Sequence, residues 1–297
     1  IAMRIFITGA SGLVGSNCLR HFKEKGWNAI GTYFSYEAQD TVFYDTLQPD
    51  NENNYDVAAF KPEVIVHCGA LTHVDYCEQN EAESYEKTVV STQNMIALAA
   101  EMNARLVFIS TDYIFDGESG PYEENAPVNP LSIYGKHKLE AEQLVLQASE
   151  DHLVLRITNV YGDEERGKNF VSRILDQIFN QQKLTLRLPI DQYATPINAY
   201  DIARCLYLLL NDQKSGVYHI AGTDYMNRVQ LALNILKYFP DATYELIPLT
   251  TDKIGAPAAR PLQGGLKNRK FMSEYPDFRF NTVDDYVSYK SILTEED

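Results

Sequence analysis

Two side chains whose types and spacing suit proton transfer, Tyr134 and Lys138, lie four residues apart. They begin a segment with helical spacing, so both fall on one helix face. A tyrosine phenol ordinarily has a pKa near 10, and a neighbouring ammonium lowers that pKa by favouring the phenolate. Chance pairs of this kind occur in a chain with 20 tyrosines, but here Thr111 ends a buried strand just before the helix. Because ligands bind where parallel strands end, we predict that Thr111, Tyr134 and Lys138 are catalytic.

Three glycines, Gly9, Gly12 and Gly15, separate the first predicted strand from the first predicted helix. Glycine lets the backbone turn sharply and approach a pyrophosphate, whose charge is stabilised by the helix N-terminus. The alternative is a turn needed only for tight strand–helix packing. The position after an N-terminal strand favours a dinucleotide site. Its predicted residues are Gly9, Ser11, Gly12, Leu13, Val14 and Gly15.

The second strand is expected to end at the adenosine half of this ligand. Residues 31–36 contain no Lys or Arg for a 2′-phosphate, and no acidic residue precedes Glu37. NAD(H) and NADP(H) both stay open, with a leaning towards NAD. Asp45 suits either an adenine amino group or an exposed turn. We add Tyr33, Asp45, Gly69 and Ala70 to the predicted cofactor-binding residues.

Apolar runs alternate with helical segments along the first half of the chain, which predicts a doubly wound parallel sheet, Rossmann-like, in the α/β class. The predicted strands are Met3–Thr8, Asn28–Tyr33, Thr41–Tyr44, Val64–Cys68, Arg105–Ser110 and Leu153–Ile157. The predicted helices are Leu13–Lys25, Glu81–Met102 and Leu131–Leu146.

A smaller, interleaved C-terminal substrate lobe is predicted to follow. We place the dinucleotide-binding domain at residues 3–162 and the substrate lobe at 163–297, with about 197–222 returning to the first domain. Its predicted elements are a helix at Phe170–Asn180, a strand at Leu184–Leu186, a helix at Ile197–Leu210 and a strand at Gly216–Ile220. The acidic tail 295–297 is expected to be solvated.

Composition excludes several classes of function. The chain carries 26 basic and 41 acidic side chains, a net charge of −15, which disfavours nucleic acid and anionic lipid as partners. The longest apolar stretch, Cys205–Leu210, is too short to span a membrane. Four cysteines without a CxxC unit and the absence of a signal pattern lead us to expect a cytoplasmic protein. Dispersed histidines predict no metal site.

Several motifs resemble one family in order along the chain. They are Ala70-Leu71-Thr72-His73-Val74-Asp75, Ser110 to Gly117 (STDYIFDG), Pro121-Tyr122, Pro130-Leu131, Asn169-Phe170-Val171, Asp191-Gln192 and Arg260-Pro261. The chain resembles the extended short-chain dehydrogenases/reductases. Within that group it is similar to the dTDP-4-dehydrorhamnose reductases and to the related regulatory β subunit of methionine adenosyltransferase.

The resemblance implies NAD(P)H-dependent reduction of the 4-keto group of a nucleotide-diphosphate sugar. Thr111 and Tyr134 would bind the developing oxyanion, Tyr134 would donate the proton, and Lys138 would bind the nicotinamide ribose. The substrate-binding residues it implies are Thr72, Val74, Thr111, Asn169, Gln192 and Arg260. Arg260 also begins a basic cluster with Lys267, Arg269 and Lys270, which suits an anionic diphosphate.

Four departures from the family pattern occur: the first two concern an active-site water or proton path, and the last two leave the sugar and the nucleotide open. Thr88 stands where many members have Asn, and Ser91 stands where they have a glycine. Asn159 replaces an aromatic residue, and Leu262-Gln263-Gly264-Gly265 replaces a segment with Asn-Ser.

Two alternatives to a reductase remain from the sequence. One is a nucleotide-sugar 4-epimerase, and the other is a non-catalytic regulatory subunit that binds NAD(P). A dehydratase is less expected, because Tyr113 occupies the position of that group's second carboxylate. The sequence does not decide whether the chain forms a homodimer.

Overall fold

The computed structural model of the protein describes residues 2–294; residue 1 and the acidic tail 295–297 lie outside the described residues. Its strands, numbered in chain order, are β1 (Arg4–Thr8), β2 (Asn28–Tyr33), β3 (Thr41–Phe43), β4 (Val64–His67), β5 (Arg105–Thr111), β6 (Leu153–Ile157), β7 (Val160–Tyr161), β8 (Leu184–Pro189), β9 (Tyr193–Ala194), β10 (Ile197–Asn198), β11 (Gly216–His219), β12 (Met226–Asn227) and β13 (Tyr244–Leu249).

Helices connect most of these strands. They are α1 (Leu13–Glu24), α2 (Val57–Phe60), α3 (Val74–Gln79), α4 (Glu81–Tyr85), α5 (Ser91–Met102), α6 (Ile133–Ala148), α7 (Phe170–Phe179), α8 (Ala199–Asn211), α9 (Arg228–Leu236), α10 (Thr251–Ile254), α11 (Arg269–Glu274) and α12 (Val283–Leu293). A π-helical turn, Glu86–Val90, joins α4 to α5, and a short 3-10 turn, Asp112–Ile114, follows β5. In the described residues no helix is both long and apolar enough to span a bilayer.

A seven-stranded parallel sheet forms the centre, in the order β11-β6-β5-β4-β1-β2-β3. Successive side chains of β1 pack on opposite faces, with Ile5 and Ile7 in the core under α1 and α8 and Phe6 in the core under α5 and α6. Burial of both faces explains the nearly continuous apolar strands. The predicted doubly wound α/β fold is confirmed.

The order of the strands reverses beside β1, which lies between β2 and β4. Crevices outside the carboxyl ends of strands form at such switch points. Here the ends of β1 and β4 are tied by a hydrogen bond between Thr8 Oγ1 and His67 Nδ1 at 2.6 Å, and burial lowers the His67 pKa to about 3. The switch point is therefore held by a neutral imidazole.

The C-terminal lobe has its own core. Strands β8 and β13 pair in parallel, and the core residues Ile174, Leu186, Leu231 and Val287 bring α7, α9 and α12 against β8. The segment between the two parts of this lobe belongs to the main sheet: β11 pairs with β6, and α8 packs on α1. The boundaries at 162 and at 197–222 stay predictions.

Three local predictions differ from the structure. The helix predicted from Ile197 begins at Ala199, because Ile197 and Asn198 pair with β7 and the Asn198 side chain accepts a hydrogen bond from Tyr200 N at 2.9 Å. The single helix predicted over 81–102 is interrupted by the π-helical turn. Cys68, predicted inside a strand, follows the end of β4 and is half-buried.

Candidate active site

A cavity of about 630 Å³ opens at the carboxyl ends of β1, β4, β5 and β6 and is closed on its far side by the C-terminal lobe. All but three of the predicted site residues line it. Those that do are Gly9, Ser11, Gly12, Leu13, Val14, Gly15, Gly69, Ala70, Thr72, Val74, Thr111, Tyr134, Lys138, Asn169 and Gln192. The sequence motifs thus converge on one cavity.

The glycine turn is needed for tight packing against the segment after β4, and its place at the cavity wall leaves the predicted dinucleotide site open. Gly9 has φ +67°, and a Cβ there would lie 2.8 Å from Gly69 N, so close packing requires glycine. A Cβ on Gly15 would lie 2.4 Å from Gly9 O. Gly12 is the N-cap of α1, where no side chain caps the helix and no acidic residue occupies the first turn. The first amides of α1 are therefore not capped by a side chain, and they lie at the cavity wall, where an anion is favoured.

The predicted catalytic residues lie together. Thr111 ends β5, and its Oγ1 accepts a hydrogen bond from Tyr113 N at 3.1 Å. Tyr134 lies in the first turn of α6, which begins after Ser132, whose hydroxyl accepts from Gly135 N at 3.1 Å. The Thr111 and Tyr134 side chains both line the cavity, and Thr111 lies close enough to the Tyr134 phenol to act on it and lower its pKa. Two hydroxyls are consequently presented side by side at the end of the sheet.

Lys138 lies one turn beyond Tyr134 but points into the sheet. Its Nζ donates to Ile109 O at 2.5 Å and lies 4.4 Å from the centroid of the Phe108 ring. Burial lowers the Lys138 pKa to about 8. The ammonium therefore predominates at neutral pH and is lost as the pH rises.

The predicted lowering of the Tyr134 pKa by Lys138 is wrong for this structure. Burial raises the Tyr134 pKa well above its ordinary value of 10, against a smaller lowering by the Thr111 side chain. Lys138 does not offset this effect of burial, because its ammonium donates to the Ile109 carbonyl. Tyr134 is consequently a protonated phenol at neutral pH.

Buried polar contacts behind the cavity fix the ends of β5 and β6. Asp112 Oδ2 accepts from Thr158 Oγ1 at 2.7 Å and from Gly265 N at 3.0 Å, while burial raises the Asp112 pKa. Further inside, Ser110 Oγ donates to Glu142 at 2.6 Å, and Glu142 pairs with Arg156. These contacts fix the position of Thr111 at the end of β5, next to α6.

Three predicted residues do not line the cavity. Tyr33 packs its ring 5.8 Å from that of Phe43. Asp45 accepts a hydrogen bond from Leu47 N at 2.9 Å. The residue therefore lies in a turn, as one of the two sequence alternatives predicted, but it is buried rather than exposed. Arg260 binds Asp75 through two hydrogen bonds of 2.6 and 2.9 Å, and that pairing engages its guanidinium outside the cavity wall.

The predicted basic cluster does not assemble around the cavity. Arg269 forms an exposed ion pair with Glu123 at 3.1 Å, and Lys270 donates to Val217 O at 2.6 Å. Besides Lys138, the cations that line the cavity are Arg166, Lys168 and Arg228. Sequence reasoning missed these three residues, because no motif marks them and each is carried in from the C-terminal lobe by the fold.

The loop that carries Arg166 lies over the end of β2. The Arg166 guanidinium carbon lies 4.7 Å from the centroid of the Tyr36 ring. Glu165 accepts from Tyr36 OH at 2.9 Å and from Gln39 N at 3.2 Å. Residues 31–36 contain no Lys or Arg, but Arg166, from a loop distant in the chain, brings a positive charge close to them.

The departure at Thr88 has a local consequence. Thr88 lies in the π-helical turn, and its Oγ1 is a buried polar atom for which no hydrogen-bond partner occurs among residues 2–294. Its carbonyl accepts from Thr92 Oγ1 at 2.6 Å, and Ser91 Oγ donates to Lys87 O at 2.7 Å. Neither Thr88 nor Ser91 lines the cavity.

Known proteins match the chain over most of its length. It is 33% identical over 259 residues to methionine adenosyltransferase 2 subunit beta of Xenopus laevis, covering 85% of this chain and 77% of that protein. It is 27% identical over 267 residues to the spore coat polysaccharide biosynthesis protein SpsK of Bacillus subtilis, covering 90% and 89%. A solved dTDP-4-dehydrorhamnose reductase from Clostridium acetobutylicum is similar with a TM-score of 0.83 and 30% identity, covering 98% and 100%.

The family model described as the RmlD substrate binding domain matches residues 3–282. That range includes β1, the glycine turn, the predicted catalytic residues of β5 and α6, and the C-terminal lobe up to the residue before α12. The chain belongs to the RmlD substrate binding domain family.

Proposed function

We propose that the protein reduces the 4-keto group of a nucleotide-diphosphate sugar with NADPH or NADH. One observation carries the proposal: the Thr111 and Tyr134 hydroxyls, with Lys138, line the same cavity as the uncapped N-terminus of α1. The similar structure named a dTDP-4-dehydrorhamnose reductase supports the substrate class. The relative named for polysaccharide biosynthesis agrees with it.

The residues present fit a nicotinamide dinucleotide. The free amides of α1 would hold its diphosphate, and Lys138 would bind the nicotinamide ribose through its ammonium. Bound in the reduced form, the nicotinamide supplies a hydride to the substrate carbonyl carbon. No side chain of the chain needs to change its oxidation state.

Proton transfer falls to the hydroxyl pair. Thr111 and Tyr134 would both donate hydrogen bonds to the substrate oxygen as negative charge develops there. Tyr134 then gives up its proton to that oxygen. Because burial keeps the phenol protonated, the residue is prepared for reduction, whereas the oxidising half of an epimerase cycle needs the phenolate.

The remaining cavity residues would bind the sugar and the nucleotide. Thr72 and Val74 lie on the wall formed after β4, and Asn169 and Gln192 lie on the wall formed by the C-terminal lobe. Asn169 is held by its own hydrogen bonds to Gly162 O and from Ser172 N, at 2.9 and 3.1 Å. Arg260 is excluded from this role while it pairs with Asp75.

A regulatory subunit is the second candidate, because methionine adenosyltransferase 2 subunit beta is 33% identical to the chain. In that function the same cavity would hold a dinucleotide without turnover, and an outer surface would contact a catalytic partner. The fold alone is compatible with both functions.

The deciding experiment measures NADPH and NADH oxidation by the purified protein against a panel of 4-keto nucleotide sugars. We expect cofactor consumption with at least one sugar, with a hydroxyl formed at C4, and loss of this activity in Thr111→Val. No oxidation with any sugar, together with stable binding to a methionine adenosyltransferase catalytic subunit, would reject the reductase in favour of the regulatory subunit.

A further inference from the structure

Arg228 brings a positive charge into the substrate half of the cavity. It is the first residue of α9, directly after Asn227, whose side chain accepts from Gln230 N at 2.8 Å while Gln230 accepts from Asn227 N at 2.9 Å. This reciprocal cap fixes the start of the helix and therefore the position from which Arg228 projects. The side chain reaches the cavity wall.

The contacts of the Arg228 guanidinium are uncharged. One nitrogen donates to Asn159 Oδ1 at 3.0 Å, and the guanidinium carbon lies 4.8 Å from the centroid of the Phe170 ring. Within residues 2–294 no carboxylate forms an ion pair with it. Arg156, Arg204 and Arg260 differ, since each has an acidic partner.

A half-buried guanidinium without a carboxylate partner is disfavoured in this protein. Burial lowers the Arg228 pKa from its ordinary value, so the surroundings penalise the charge. Enclosed charges in proteins are normally paired, either within the chain or with a ligand. In a chain with 41 acidic side chains, an Arg that meets none of them at the wall of a cavity is available to an anion from outside.

Asn159 is strained in the conformation that holds this arginine. Its φ is +42°, in the left-handed region that non-glycine residues seldom adopt. The residue follows Thr158, which is fixed by Asp112, so its side chain is placed at the end of the sheet next to the catalytic strand. An amide oxygen orients the guanidinium without neutralising it, and the remaining N–H groups stay free for a ligand.

We propose that Arg228, oriented by Asn159, binds an anionic group of the substrate on the C-terminal-lobe side of the cavity. The inference rests on the proposed function only in calling this ligand the substrate. Phosphate and carboxylate oxygens both match the fork of a guanidinium. The anion is therefore either the nucleotide diphosphate or an acidic group on the sugar, and the experiment distinguishes these sources.

The test is calorimetric binding to the full chain saturated with NADP⁺, which requires no turnover. The probes are dTDP, UDP-glucose and UDP-glucuronic acid, applied to wild type, Arg228→Gln, Arg228→Lys and the control Arg269→Gln. Arg269 carries a matched charge in an exposed ion pair outside the cavity. We expect Arg228→Gln to weaken binding of the probes about 10- to 100-fold, the value of a charge-assisted hydrogen bond. Arg228→Lys should keep part of the wild-type affinity, and the control Arg269→Gln should keep all of it.

Equal weakening of all three probes would support the diphosphate as the anion. Weakening confined to UDP-glucuronic acid would support an acidic sugar. Unchanged affinities in Arg228→Gln, or no binding of any probe to the wild type, would overturn the inference. Asn159→Ala provides a second test if Arg228→Gln does not fold, because this variant keeps the Arg228 charge and removes the side chain that orients it. We expect Asn159→Ala to weaken binding of the same probes about 3- to 10-fold. A protein that binds these probes through Arg228 yet reduces no keto sugar would reject the proposed function alone.

Discussion

Replacement of Tyr134 by Phe removes one oxygen atom from the proposed proton donor and leaves its ring in place. The ring lies 5.7 Å from that of Tyr113 in an edge-on arrangement, a contact that phenylalanine can keep. Thr111 Oγ1 still accepts from Tyr113 N, so no partner is left without a hydrogen bond. The cavity therefore retains its shape, and the variant isolates the contribution of the hydroxyl.

The expected loss follows from the role of that hydroxyl. A positioned general acid contributes about 10²- to 10⁴-fold to a rate, so we expect single-turnover reduction to fall about 10³-fold, or about 4 kcal/mol of transition-state stabilisation. The dissociation constant of NADPH should change less than about twofold, since the Lys138 ammonium and the α1 amides are untouched.

The assay combines stopped-flow oxidation of NADPH in the presence of a 4-keto nucleotide sugar with fluorescence titration of the cofactor. Tyr275→Phe is the matched control, because its hydroxyl donates to Asp212 at 2.8 Å outside the cavity. Reduction by Tyr134→Phe at more than a tenth of the wild-type rate would refute the assignment of this phenol as the proton donor.

Three further outcomes are expected. Because burial holds the Lys138 pKa at about 8, its ammonium is present below that pH and lost above it, so cofactor affinity should fall as the pH rises through about 8. The Lys138→Met variant should show no such fall in a titration series, and an unchanged pH profile in that variant would contradict the role. Arg166, stacked on Tyr36 over the end of β2, should meet a 2′-phosphate; Arg166→Ala is expected to weaken NADPH about tenfold and NADH little, whereas equal weakening of both would disprove this contact. Glu142→Ala leaves Arg156 buried without its carboxylate, and urea unfolding should show a loss of about 3 kcal/mol; a loss below about 1 kcal/mol would show that the ion pair matters little.

The sheet could be predicted from the sequence because its signals are local. The apolar run of β4 and the glycine turn before α1 each lie within a few neighbouring residues, and β2 and β6 were predicted with their observed limits. Local patterns do not predict the structure where strand pairing with a distant segment determines it. Ile197 continues an apolar helical pattern, yet it pairs with Val160 of β7. The π-helical turn at Glu86–Val90 likewise leaves the apolar spacing almost unchanged.

Residues of the candidate site could be predicted from the sequence where they belong to a motif. Their contacts and pKa values could not be predicted where these depend on residues far away in the chain. The predicted nucleotide contact of Arg260 depends on Asp75, which lies 185 residues away in the chain and engages its guanidinium. The Tyr134 pKa depends on burial by the folded chain and on the direction of the Lys138 side chain, neither of which follows from a spacing of four residues. Arg228 belongs to no motif, and only the fold of the C-terminal lobe brings it to the cavity.

The central claim is that Tyr134, assisted by a hydrogen bond from Thr111, protonates a carbonyl oxygen while a hydride reaches the carbon of that carbonyl. Transfer of deuterium from NADPH labelled at the nicotinamide C4 tests it most directly, with the sugar product analysed by NMR and mass spectrometry. The account predicts one deuterium on the former carbonyl carbon for each NADP⁺ formed. Recovery of every 4-keto sugar without deuterium, or of an epimer formed without net consumption of NADPH, would contradict it.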